Sequence, residues 1–179
     1  ATFVSTKNDI DIVIAAGANH IICDDPEFSI RAIINAKSHN NDTLTELVRY
    51  TKQKYPQIHI SISMDIVYHN NHTERIKQLL CELQHVSIDS IRIQDPGLIS
   101  LIRDYIPDVD ISFVAETGPH NTAGIALLQE QGITTHQFNN ELPYSEIKQI
   151  TQAIESHWQL QVHGQILIQH SHRRLLHDK

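Results

Sequence analysis

Ser90-Ile91-Arg92-Ile93-Gln94-Asp95-Pro96-Gly97-Leu98-Ile99 is the stretch that decides the fold. Its β-branched run, Ile91 and Ile93, stops at an acid, and Pro-Gly then turns the chain. Leu98, Leu101, Ile102 and Tyr105 follow at i, i+3, i+4 and i+7, the spacing of one helix face. A buried strand thus delivers Asp95 to its C-terminal tip, and a helix folds back over that strand.

The same unit recurs in both directions. Upstream, Thr2–Ser5 is a short strand, and Ile10, Val13 and Ile14 mark a helix face closed by Gly17. His20–Cys23 is a second strand tipped by Asp24 and Asp25. Pro26 to Asn41 carries no clear period. Thr43-x-x-Glu46 is a capping box for a helix with Leu44, Leu47 and Val48 on its apolar face. Ile58–Met64 is a strand tipped by Asp65, and Ile76, Leu79, Leu80 and Leu83 give the most regular helix. Downstream, Ile111–Val114 is tipped by Glu116, and Ala123–Gln131 forms a helix stopped by Gly132. Thr135–Phe138 is tipped by Asn139, Asn140 and Glu141. Ile147, Ile150 and Ile154 mark a last helix, and Leu160–Val162 is a strand ending in His163-Gly164. Ile166–Ile168 is a short candidate for an eighth.

Strands alternating with helices through short turns predict a parallel sheet with right-handed crossovers. A doubly wound sheet and a (β/α)₈ barrel both satisfy the pattern. The TIM-type α/β barrel is favoured because the units follow one another without a long excursion and polar groups stand at nearly every strand tip. Full barrels take about 250 residues, so a single barrel domain of 179 residues, with seven to eight strands, is minimal or incomplete. The chain opens directly in a strand and stops without a terminating turn, so a piece of a longer protein is expected. An unclosed sheet would leave edges for a partner or a missing segment to cover.

Composition sets the outer limits. The net charge of −7 argues against a broad nucleic-acid surface, although Arg173-Arg174 is a local basic site. No apolar run approaches the roughly 18 residues of a membrane span. The 2 cysteines, Cys23 and Cys81, cannot form a disulfide framework and fit a reducing cytoplasm.

Three segments carry a family resemblance. Ile91-Arg92-Ile93-Gln94-Asp95-Pro96-Gly97-Leu98 is one. Glu141-Leu142-Pro143-Tyr144-Ser145-Glu146-Ile147 is another, with Asn140 standing where an arginine is usual. The third is Val162-His163-Gly164 followed by Ser171-His172-Arg173-Arg174-Leu175-Leu176. In order and spacing they resemble the N-terminal barrel of the peptidase U32 family, the collagenase-like proteases. Ala115-Glu116-Thr117 with Asn121 is similar to a branch whose members act as subunits of an enzyme that hydroxylates a uridine of the tRNA anticodon loop. The resemblance implies a subunit that binds or positions tRNA beside a second family subunit or another copy of itself. The alternatives are a peptidase, as the family name implies, and a catalytically degenerate barrel acting as a binding module. Relatives that hydroxylate RNA carry cysteines after His-Gly that hold an iron–sulfur cluster. Here the matching positions are Leu167 and Arg174, and two isolated thiols do not supply four ligands. No cluster is therefore expected on this chain.

The candidate catalytic groups are Asp95, Glu116, Glu141 and His163, which should converge on one barrel mouth. Carboxylates in unlike environments divide acid and base roles, and a histidine titrates near neutrality. The competing reading of Asp95 is a cap for the following turn. Asn121, Arg173 and Arg174 are candidate substrate contacts, the arginines through RNA phosphate. His69 and His72 are three apart, a spacing that admits a metal, although loop histidines are more often solvated. Cys23 at a strand tip could be a nucleophile, but a cysteine in an apolar strand is usually buried packing, and Cys81 beside Leu79 and Leu80 reads the same way. No His-Glu-x-x-His or Gly-x-Ser-x-Gly motif is present to support proteolysis.

Overall fold

The computed structural model describes residues 1–34, 43–115 and 118–164. They form β1 (Thr2–Val4), α1 (Lys7–Ala15), β2 (His20–Asp24), α2 (Ile30–Ile34), α3 (Leu44–Lys54), β3 (His59–Met64) and α4 (Thr73–Leu83). After these come β4 (Ser90–Ile93), α5 (Leu98–Tyr105), β5 (Asp110–Val114), α6 (Thr122–Glu130), β6 (Thr135–Gln137), α7 (Tyr144–Ala153) and β7 (His157–Gln159). Every ladder is parallel, and the 7 strands lie side by side in chain order. That order is the one a (β/α) barrel requires, and a doubly wound sheet breaks it at a switch point.

Period-2 alternation sorts the strand residues onto two faces. Ile21, Cys23, Ile60, Ile62, Met64, Ile91, Ile93, Ile111 and Phe113 belong to the main core, where they meet Ile10, Leu47, Val48, Ile76, Leu79, Leu80, Leu83 and Ile102 from the helices. A smaller cluster of Ile125, Phe138 and Ile150, with Trp158 against it, continues that layer under α6 and α7. The other face is mostly polar: Ser61, Ser63, Ser90, Arg92 and Ser112 share it and are buried.

Arg92 shows that the polar face is concave. Neighbouring strands lie about 4.8 Å apart, so β1 and β7 would each stand about 14 Å from β4 in a flat sheet. Yet the Arg92 guanidinium lies 5.6 Å from the Phe3 ring on β1 and 2.8 Å from Gln159 Oε1 on β7. The sheet is therefore a curled half-barrel, with helices outside and polar side chains within. Among the described residues no ladder joins β7 to β1.

Local sequence accounts for the helix ends. Thr43 and Glu46 form the expected capping box, with the Thr43 N–H donating to Glu46 Oε2 at 2.8 Å and the Glu46 N–H donating to Thr43 Oγ1 at 3.3 Å. A second box, Thr6 with Asp9, opens α1. Gly17 (φ 98°) and Gly132 (φ 89°) take the left-handed conformation that ends α1 and α6. The stretch from Pro26 holds α2, while residues 35–42 lie outside the described residues.

The last strand differs from expectation. It is His157–Gln159, three residues earlier than Leu160–Val162. Trp158 stacks on Phe138 at 4.8 Å and Gln159 accepts from Arg92, so packing and a hydrogen bond fix this register. Leu160 and Val162 are exposed instead, at 50% and 88%. Cys81 also departs from its packing role and is exposed on α4.

Leu80 is fully buried at the centre of the α4 contact, so Leu80→Ala should cost about 2–5 kcal/mol. Thr43→Ala should cost about 0.5–2 kcal/mol through its cap. Urea denaturation of the two variants measures both, and the cap variant should be the milder.

Candidate functional site within the curled sheet

The concave face is organised around Arg92, which is 3% exposed. Its Nη1 donates to Gln159 Oε1 at 2.8 Å and its Nη2 to Gln137 Oε1 at 2.7 Å. Arg31 reaches the same Phe3 ring from α2, with its Cζ 4.6 Å from the centroid. Arg31 Nε also donates to Asp24 Oδ2 at 2.7 Å, and Ser29 Oγ donates to Asp24 Oδ1 at 2.7 Å. Burial pushes the Asp24 carboxyl up, against the opposing pull of Ser29 and Arg31. Ser63 and Ser112 flank Arg92 in register on β3 and β5. Both hydroxyls are buried without a hydrogen-bond partner among the described residues. Leaving such a group unsatisfied costs about 1–3 kcal/mol. The guanidinium therefore stands between two hydroxyls, and all three groups are buried.

At the N-terminal end of the strands the interior holds a hydrogen-bonded chain. His20 Nε2 meets Ser61 Oγ at 2.5 Å, Ser61 Oγ meets Ser90 Oγ at 2.5 Å, and His59 Nε2 meets Ser90 Oγ at 3.0 Å. At least one imidazole must donate for all three bonds to form, because two accepting rings would use both hydroxyl hydrogens and leave none between Ser61 and Ser90. A proton on both rings would leave one hydroxyl hydrogen without an acceptor. Burial, then the charge of His59, holds His20 down to about 3.

The strand-tip acids tie the loops together. Asp65, after β3, accepts from the Ile30 N–H at 3.0 Å, and Asp95, after β4, accepts from the Tyr68 N–H at 3.1 Å. In each case the acid of one strand holds the loop that follows the preceding strand. Asp95 Oδ1 also accepts from the Gly97 N–H at 2.8 Å, closing the Pro-Gly turn. Asp25 does the same for its own loop, accepting from Glu27 and Phe28. Asp95 is thus brought to the mouth, where it stands as a loop clamp.

The other sequence candidates are dispersed. Glu141 and His163 are exposed. The Glu141 backbone N–H donates to Asn139 Oδ1 at 2.7 Å. His163 lies four residues beyond the end of β7 instead of at its tip. Asn121 is the N-cap of α6, its Oδ1 accepting from the Gly124 N–H at 2.9 Å. Glu116, Leu167, Arg173 and Arg174 lie outside the described residues. His72 Nδ1 accepts from the His69 N–H at 3.3 Å, and no group of three or more metal-binding side chains occurs among the described residues. Cys23 is buried under the helices, and burial pushes its thiol up to about 12, which makes it a poor nucleophile. With Cys23 in the core and Cys81 exposed on α4, this chain's thiols do not fit an iron–sulfur cluster.

Arg92, Gln137, Gln159, Arg31, Ser63 and Ser112 escape a reading that looks only at strand tips. The signal lies inside the strands. His59-Ile60-Ser61-Ile62-Ser63-Met64 and Ser90-Ile91-Arg92-Ile93-Gln94 alternate strictly, whereas strands of an ordinary parallel sheet are apolar on both faces.

The sequence model of Peptidase family U32 matches residues 5–178. The chain is 27% identical over 177 residues to "tRNA hydroxylation protein P" of Escherichia coli (strain K12), covering 96% of this chain and 37% of that protein. It is also 27% identical over 168 residues to the protein of the same name in Haemophilus influenzae, covering 90% of this chain and 35% of that protein. The chain therefore spans little more than a third of these relatives. Among solved structures, that of the U32 peptidase Mk0906 superposes with a TM-score of 0.68 at 12% identity, over 89% of this chain and 66% of that one. At that identity the likeness concerns the fold.

Two histidines held neutral by desolvation set an acid limit on stability. His20 is held down to about 3 and His136, through burial, to about 4, so both are neutral when folded. The unfolded chain takes up these protons below about 6.5. Stability should be full above that pH and should fall as pH drops from 6.5 toward 4 and 3. Denaturant midpoints measured across pH 7 to 4 check this, and His20→Gln should flatten the profile.

Proposed function

This chain belongs to peptidase family U32, and from that premise we propose that it takes part in tRNA modification, as a subunit in uridine hydroxylation. It binds or positions RNA at the mouth of the half-barrel while a second family subunit, or another copy of the chain, completes the site. The observation that carries this reading is a match spanning 96% of the chain to a protein named for tRNA hydroxylation. Glu116, Glu141 and His163 serve as acid–base groups, with Asp95 holding two of the rim loops. Asn121, Arg173 and Arg174 contact the RNA.

A peptidase reading has less beneath it. The serines that touch histidines, Ser61 and Ser90, are 0% and 4% exposed, too deep for a peptide to reach. The Cys23 thiol is equally enclosed.

Mass spectrometry of tRNA from cells lacking this protein tests the proposal. Loss of the hydroxylated uridine, restored by the full gene, is the expected result. Undiminished modification would overturn it. Incubation of the purified protein with gelatin should leave the gelatin intact.

A further inference from the structure

Away from the mouth, α3 and the segment between α4 and β4 enclose an open groove of about 240 Å³. Arg49, Lys52, Gln53, His85 and Ser87 supply its polar lining, and the one carboxylate beside it, Asp89, is paired with Lys52. In a chain with a net charge of −7, a groove of this composition runs against the average surface. Arg49, Lys52 and Gln53 stand at i, i+3 and i+4 and therefore share one helix face. Lys52 is held in place, its Nζ donating to Asp89 Oδ2 at 2.7 Å and to the Ile58 carbonyl at 3.0 Å. An ammonium has three hydrogens, so one remains for a ligand. Arg49 is exposed and has no hydrogen-bond or ion-pair partner among the described residues. His85 and Ser87 are exposed on the facing segment.

We infer that this groove binds a phosphate group, with the Arg49 fork and the fixed Lys52 ammonium as its charged contacts and His85 and Ser87 as hydrogen-bonding partners. Arginine presents paired donors that match phosphate oxygens, and lysine adds a point charge. The source favoured is the backbone of a bound RNA, which rests on the function proposed above. The C-terminal half of α3 and the segment entering β4 lie at the N-terminal ends of the strands, opposite the rim acids. A single nucleotide does not reach both places, whereas a folded RNA does.

Two measurements on the full chain decide the matter. The first is fluorescence anisotropy with a labelled RNA stem-loop, comparing the wild type with an Arg49→Ala, His85→Ala double variant and with Arg49→Glu. The double variant should bind about tenfold more weakly, with a slope of log affinity against log salt shallower by about 1 per lost contact. The charge reversal should bind more weakly still. All three substitutions are at exposed positions, and circular dichroism confirms that the variants fold. The second is titration with inorganic phosphate, followed by amide shifts at Arg49, His85 and Ser87.

Weakened RNA binding together with phosphate shifts identifies the RNA backbone as the source. Phosphate shifts with unaltered RNA affinity assign the groove to a free phosphorylated molecule. Unaltered RNA affinity without phosphate shifts overturns the inference and leaves the proposed function standing. If the wild type binds no RNA at low salt, the proposed function fails, and the phosphate titration still decides whether the groove is a phosphate site.

Discussion

Arg92 stands on β4, the middle strand of the sheet, yet its guanidinium contacts Phe3 on the first strand and Gln159 on the last. Those contacts exist only because the sheet is curled, and in turn they hold it curled. Putting a guanidinium in an interior is costly unless its donors are satisfied. Here Gln137 and Gln159 accept from it, and the face of an aromatic ring lies beside it. Both glutamines sit on the short strands β6 and β7, whose packing on the helices is confined to the small cluster of Ile125, Phe138 and Ile150. The interior hydrogen bonds therefore do for these strands what an apolar core does for β2 to β5.

This division explains the unusual sheet. One face is an ordinary isoleucine-rich layer under helices, and it carries most of the stability. The other is lined by serine, histidine, glutamine and arginine, which specify a geometry at some expense of apolar burial. At the N-terminal end the polar face is closed upon itself through the His20–Ser61–Ser90–His59 chain. Further along, Ser63 and Ser112 flank the arginine. The strand-tip acids Asp65 and Asp95 hold the loops around that opening, so the rim is braced by carboxylates and the interior supplies donors. A second cationic feature, the Arg49 groove, lies at the opposite end of the strands.

Much of the architecture was legible in the sequence because its signals are local. The Asp95-Pro96-Gly97 turn, the Thr43–Glu46 capping box and the helix face of Ile76, Leu79, Leu80 and Leu83 each depend on a few neighbouring residues. Family membership was legible for a related reason, since the motifs keep order and spacing along the chain. The interior was harder to see. Arg92 stands within an alternating strand, and nothing within ten residues of it reveals a partner on β7. Only the curl brings Gln137 and Gln159, 45 and 67 residues away, to its side. The position of β7 is hidden for a similar reason, because Leu160 and Val162 have better strand propensity than His157 and Gln159. The latter were selected by Trp158 packing on Phe138 and by the contact with Arg92.

The curl depends on the coupling between Arg92 and the far edge of the sheet. A double-mutant cycle on folding stability, with Arg92→Met, Gln159→Leu and both together, measures that coupling directly. A hydrogen bond to a charged group is worth about 1.5–3 kcal/mol, so the double variant should be less destabilised than the sum of the single variants by about that amount. Strict additivity, within about 0.5 kcal/mol, would contradict a half-barrel held closed around Arg92.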